Sequence, residues 1–168
     1  MASAESAVRD DSVARLLADS FTRVHRERMA GLPILHPGLS VAVVGGRAWQ
    51  GDWLGVLVTP WCMNLVLVPG PGSNNRPGPF GSKLQLELPA GGFEFLASEE
   101  AGIGRFAACS LISPMHQIAD QAAAIATAEA IITALFQPQP PGEAAQDTGR
   151  QHGVSRRDLL RGTFGRRA

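Results

Sequence analysis

From Trp53 to Val68 the chain is apolar at almost every position, interrupted only at Gly55, at Thr59-Pro60-Trp61 and at Asn64. Val, Leu and Trp dominate two runs, Trp53 to Thr59 and Cys62 to Val68, and Pro69-Gly70 closes the second. Such runs, bounded by turn residues, predict two short buried strands. A membrane helix would need about 18 or more unbroken apolar residues. Here Pro60 removes a backbone donor mid-run and Asn64 adds a polar group, so a buried sheet is predicted instead. The junction at Pro60-Trp61 is too short for a crossover connection. The two runs are therefore antiparallel neighbours, or one strand bent at a bulge.

The flanking pattern supplies the other elements. Val13, Leu16, Leu17, Phe21 and Val24 recur at helical spacing after Asp10-Asp11-Ser12, which predicts a helix running to about Met29 and stopping before Gly31 and Pro33. Leu39 to Val44 predicts a first strand ending at Gly45-Gly46. Leu84 to Leu88 and Phe93 to Leu96 alternate apolar with polar around Pro89-Ala90-Gly91-Gly92, the pattern of a hairpin. Ile103 to Ile112 predicts a further strand, and the Ala-rich stretch from Gln117 to Phe136 a second helix. Residues 69–82, rich in Pro and Gly, form a long loop; loops beyond about 12 residues are often functional or disordered. The fold class is α+β: a mainly antiparallel sheet of about six strands flanked by an N-terminal and a C-terminal helix, with both helices expected on one sheet face. Residues 1–137 form a single domain, and 138–168 read as a linker and an arginine-rich tail.

Charge changes that picture in one respect. The formal net charge is zero, but residues 150–168 hold six arginines against Asp158 alone, while the remainder holds nine basic and fourteen acidic residues. An acidic body thus carries a basic tail. The tail has no Lys and only Phe164 to stack on a base, so nucleic acid is a poor fit. The N-terminus is acidic and lacks an apolar signal core, which points to a cytoplasmic protein with no direct membrane insertion.

Catalytic and metal chemistry find little support. Cys62 and Cys109 lie far apart without Cys-x-x-Cys spacing, and His25, His36, His116 and His152 are scattered, so no metal site and no cofactor are expected. Cys109 with His116 is the one pair suggesting an activated thiol. Set against that, a free Cys in an apolar strand usually behaves as a small buried hydrophobe. Glu99-Glu100 reads as a solvated turn. Trp53 and Trp61 fit core positions, yet Trp61-Cys62-Met63 sits at a break where a side chain can turn outward, and Trp and Met are favoured contact residues at protein interfaces.

With Thr59-Pro60-Trp61-Cys62-Met63-Asn64-Leu65-Val66-Leu67 and Cys109-Ser110-Leu111-Ile112-Ser113-Pro114-Met115 in view, the sequence resembles the HybE/HupJ family of [NiFe]-hydrogenase assembly chaperones. His36-Pro37, Gly51-Asp52-Trp53-Leu54-Gly55, Leu88-Pro89-Ala90-Gly91 and the Ala-rich helix extend the likeness over roughly residues 10–136. The resemblance implies a non-enzymatic cytoplasmic protein whose partners are hydrogenase small or large subunit precursors, and other maturation proteins. It would hold precursors until cofactor loading and assembly permit twin-arginine export. Some relatives carry a rubredoxin-like module with paired Cys-x-x-Cys; this chain has none, so that module's iron chemistry does not transfer. A thiol-dependent enzyme and a small-ligand-binding domain are the competing classes. The candidate partner-binding residues are Trp53, Trp61, Cys62, Met63, Met115 and His116 on the body, and Arg156 and Arg157 on the tail. Ser155-Arg156-Arg157-Asp158-Leu159-Leu160-Arg161 also resembles the twin-arginine motif itself. It reads either as a solvated basic arm or as a segment that occupies the groove meant for a client signal.

Overall fold

A strand that is apolar at every position must be covered on both faces. The computed structural model, which describes residues 2–138, shows how that is done. Helix α1 (Ala2–Val24) continues into a short π-helical turn, His25–Met29. Six strands follow: β1 (Ala42–Trp49), β2 (Asp52–Val58), β3 (Met63–Val68), β4 (Lys83–Leu88), β5 (Gly91–Glu100) and β6 (Gly104–Ile112). Helix α2 (Gln121–Leu135) comes last. The strands form one sheet in the order β1-β2-β3-β6-β5-β4, with every neighbouring pair antiparallel.

The expectation that both helices cover one face is corrected by the structure: they lie on opposite faces. In β2 the side chains of Trp53 and Leu57 join Leu17 of α1, together with Val66 of β3 and Phe106 of β6. Leu54, Val56 and Val58 alternate with them and point into the other layer, where α2 supplies Ala124, Ala128, Ile131, Ile132 and Leu135. The all-apolar central strands required this arrangement, because one helical layer would have left half of each strand in water. The α2 layer draws residues from all six strands and is the larger core. Outside the α1 layer, β4 and β5 present Lys83, Gln85, Glu87 and Glu94 to solvent.

Other boundaries moved for local reasons. Asp10-Asp11-Ser12 lies inside α1 rather than at its start, and the Ser12 hydroxyl donates back to the Arg9 carbonyl at 2.8 Å. Strand β1 passes through Gly45-Gly46 instead of ending there, with a break in register between Val44 and Arg47. At that bulge a Cβ on Gly45 would lie 2.7 Å from Cγ2 of Ile132, so the missing side chain lets α2 press directly onto the strand. Helix α2 starts four residues later than expected because Asp120 caps it, its Oδ1 accepting from Ala123 N at 2.8 Å. Such a cap contributes about 1 kcal/mol. The Phe136 ring closes the far end, edge-on to Trp49 at 5.0 Å and beneath the Arg47 guanidinium at 4.4 Å. Glu99-Glu100 is also corrected: it is the end of β5, with Glu100 paired to Arg28 and Glu99 lying 3.9 Å from Arg105.

Candidate functional site

The junction between the two central runs is a hairpin tip. Strands β2 and β3 pair in register from Trp53↔Val68 to Val58↔Met63, which leaves Thr59-Pro60-Trp61-Cys62 to turn the chain. The Thr59 N–H donates to the Cys62 carbonyl at 2.9 Å. The Thr59 hydroxyl lies at the centre of the turn: it accepts from Cys62 N at 2.9 Å and from Trp61 N at 3.3 Å, and donates to the Cys62 carbonyl at 2.9 Å. The Trp61 side chain is left half-buried, its indole tilted against the His25 ring at 5.9 Å. The segment after α1 is bonded to the same tip, since His36 N donates to the Pro60 carbonyl at 2.8 Å. On that segment Leu32 and Ile34 are two of the five exposed large apolar side chains among the described residues. Three stretches thus meet at the tip: His25 after α1 through its ring contact with Trp61, His36 through its bond to Pro60, and the Pro60-Trp61 turn itself, with the exposed Leu32 and Ile34 preceding His36 in the chain.

The remaining sequence candidates divide sharply. Met63 pairs with Ile112 of β6, so residues 113–116 lie at this same end of the sheet. His116 is exposed there. Met63 and Met115 are fully buried on the α2 side, and Trp53 is buried at the opposite end of β2. Those three side chains are packed into the fold and offer no surface to a partner as the chain stands. Arg156 and Arg157 lie outside the described residues. Sequence reasoning missed His25, Leu32, Ile34, His36 and Thr59. Only the exposed apolar pair beside His36-Pro37 left a trace in the pattern.

The thiols are not arranged for nucleophilic chemistry. Burial pushes the Cys62 thiol above its ordinary value, with hydrogen bonding from Thr59 and Asn64 pulling the other way. Its Sγ lies 3.4 Å from the Thr59 hydroxyl. A raised thiol stays protonated at neutral pH, where a nucleophile needs thiolate. Cys109 is buried in the layer facing α2, whereas His116 is exposed. Among the described residues no three His, Cys, Asp or Glu side chains group to hold a metal ion. No described helix is long and apolar enough to cross a membrane.

The family model for "[NiFe]-hydrogenase assembly, chaperone, HybE" matches residues 12–162, a span that includes the Ser155–Arg161 segment. The hydrogenase expression/formation protein HupJ of Bradyrhizobium diazoefficiens is 43% identical over 150 residues, covering 89% of this chain and 87% of that protein. HupT of Azotobacter chroococcum, of the same description, is 40% identical over 148 residues, covering 88% and 93%. The solution structure of HybE from Escherichia coli superposes with a TM-score of 0.62 over 93% of this chain and 91% of that one, at 24% identity, and so shares the fold. The class is that of accessory proteins for metalloenzyme assembly. The chain belongs to the HybE family of [NiFe]-hydrogenase assembly chaperones.

Proposed function

We propose that the protein captures hydrogenase subunit precursors at the hairpin tip around Trp61. It holds the small subunit, the large subunit or both while cofactor loading and assembly proceed, and releases the small subunit, with its twin-arginine signal, for export. The observation that carries this reading is Trp61 itself: a large aromatic side chain, half open on a tightly bonded turn, with the exposed Leu32 and Ile34 on the segment that His36 bonds to the same turn. Aromatic anchors on pre-organised backbone are the usual source of binding energy at protein interfaces, because little entropy is lost in ordering them. Cys62, His116 and His25 border this surface, and Met63 and Met115 are packed beneath this end of the sheet, whereas Trp53 lies at the other end of β2.

The protein acts in the cytoplasm, as a non-enzyme, with residues 1–137 as the chaperone domain. Arg156 and Arg157 belong to a separate tail that contacts the client or competes with it. Support for the non-enzymatic reading is the raised, partly buried Cys62 thiol and the burial of Cys109. Copurification from cells that do or do not make hydrogenase precursors tests the proposal, with small-subunit precursor present with and without its signal segment. Retention of a precursor is expected. A protein that retains neither subunit precursor is not this chaperone.

A further inference from the structure

A two-residue hairpin loop ordinarily uses a primed turn, whose first central residue has positive φ. This loop cannot, because its first central residue is Pro60, whose ring locks φ near −65°. Trp61 does not have positive φ either; among the described non-glycine residues only Gln50 does. The favoured turn geometry is thus unavailable at the very place where the chain displays its half-open indole.

The Thr59 side chain takes over the closure. Its oxygen accepts the Cys62 N–H, at 2.9 Å, and the Trp61 N–H, at 3.3 Å. Its proton goes to the Cys62 carbonyl, at 2.9 Å. One hydroxyl offers a donor and two acceptor sites; the turn's own backbone takes the three shortest contacts, and the Cys62 Sγ at 3.4 Å shares the same oxygen. Thr59 is completely buried and contributes no surface to a partner. What it fixes is the backbone that carries Trp61, while the Pro60 carbonyl ties that backbone to residues 32–36 through His36.

We propose that Thr59 is the positioning residue of the precursor-binding surface: its hydroxyl holds the Pro60-Trp61-Cys62 backbone in the shape that leaves the Trp61 indole half open. This rests on the assignment of that surface under Proposed function. Valine matches threonine in shape but leaves the Trp61 and Cys62 N–H groups without their acceptor, whereas serine keeps the hydroxyl.

The test measures affinity for purified small-subunit precursor bearing its signal segment, using the full chain and its Trp61→Ala, Thr59→Val and Thr59→Ser variants. Amide hydrogen exchange is followed in the same proteins. Trp61→Ala should weaken binding at least about tenfold, and Thr59→Val about fivefold or more, as expected for losing an interface anchor and for loosening the backbone under it. In Thr59→Val, exchange should accelerate at Trp61 and Cys62 while Leu65 to Leu67 stay protected. Thr59→Ser should restore both affinity and protection. Native affinity in Thr59→Val, with Trp61→Ala weakened, overturns the positioning role and leaves the surface standing. Native affinity in Trp61→Ala overturns the surface itself. Exchange that rises throughout the sheet in Thr59→Val, or a folded Thr59→Ser that still binds poorly, shows that the hydroxyl does not act by positioning Trp61 and overturns the proposal.

Discussion

Trp53 and Trp61 stand at opposite ends of β2, and the chain treats them in opposite ways. The Trp53 indole lies flat across two glycines: a Cβ on Gly46 would come within 2.6 Å of its Cζ2, and one on Gly55 within 2.5 Å of its Cη2. That bed admits the whole ring beneath α1, with its Nε1 buried and without a hydrogen-bond partner among the described residues. Trp61 follows Pro60 and its N–H is held by the Thr59 hydroxyl instead, and no described glycine has the Trp61 side chain among its nearest atoms. The two ends are locked by different polar groups. At the Trp53 end, the buried Asp52 carboxylate accepts from Gly70 N at 2.9 Å and from Asn75 Nδ2 at 2.9 Å, fastening the long loop. At the Trp61 end, a hydroxyl fastens only its own turn. Residue type does not decide whether a tryptophan is buried or half open; the space its backbone neighbours leave decides it.

The largest effect that would break this contrast is on stability at the closed end. Trp53→Ala should lower stability by about 3–5 kcal/mol, the usual cost of removing a large buried aromatic. Gly55→Ala should cost about 1–3 kcal/mol by forcing the ring off its bed. Denaturant unfolding measures both. A near-native Trp53→Ala would mean that the indole is not part of the core.

Next in size is Asp52. Asp52→Ala leaves the buried Gly70 N–H without its acceptor, at a cost of about 1–3 kcal/mol. The loss should be seen as faster proteolysis within 69–82. Unchanged proteolysis and stability would show that the loop does not depend on this carboxylate.

How much of this was legible in the sequence varied with the physics involved. The six strands, their antiparallel pairing and both helices follow from hydrophobic period, which is a local signal. The opposite placement of the helices was also written there, in the uninterrupted apolar runs of β2 and β3, although the order helix–sheet–helix suggested one shared layer. Glu99-Glu100 looked like a turn because two adjacent acids resemble solvated loop; their partners Arg105 and Arg28 are supplied by the fold. Thr59 and Asp52 were not legible in role. Each acts through side-chain bonds to backbone groups whose position depends on turn and loop geometry, and sequence spacing carries no record of that. Trp61 was visible as a break in pattern, whereas Leu32 and Ile34 gained meaning only when the His36–Pro60 bond tied their segment to the turn.

A smaller effect concerns Cys62. Its folded-state thiol is raised, so the protonated form favours the fold; this contribution is complete below the ordinary thiol range and is lost as pH rises through the folded value. Alkylation of Cys62 should therefore be slow at neutral pH and accelerate only above the range of a free cysteine. Cys62→Ala should flatten the loss of melting temperature on the alkaline side. Rapid alkylation at neutral pH would indicate a reactive thiol and reopen the enzymatic reading.

The smallest expected effect on stability belongs to Trp61, and it accompanies the largest expected effect on binding. Titrating labelled small-subunit precursor against native protein and Trp61→Ala, with the melting temperature of each recorded alongside, addresses the central claim directly. The prediction is a change in stability within about 1 kcal/mol, as for a half-open side chain, together with affinity weakened at least about tenfold, as for an interface anchor. Undiminished affinity in a folded Trp61→Ala protein would contradict the claim that the open end of β2 is where the client binds.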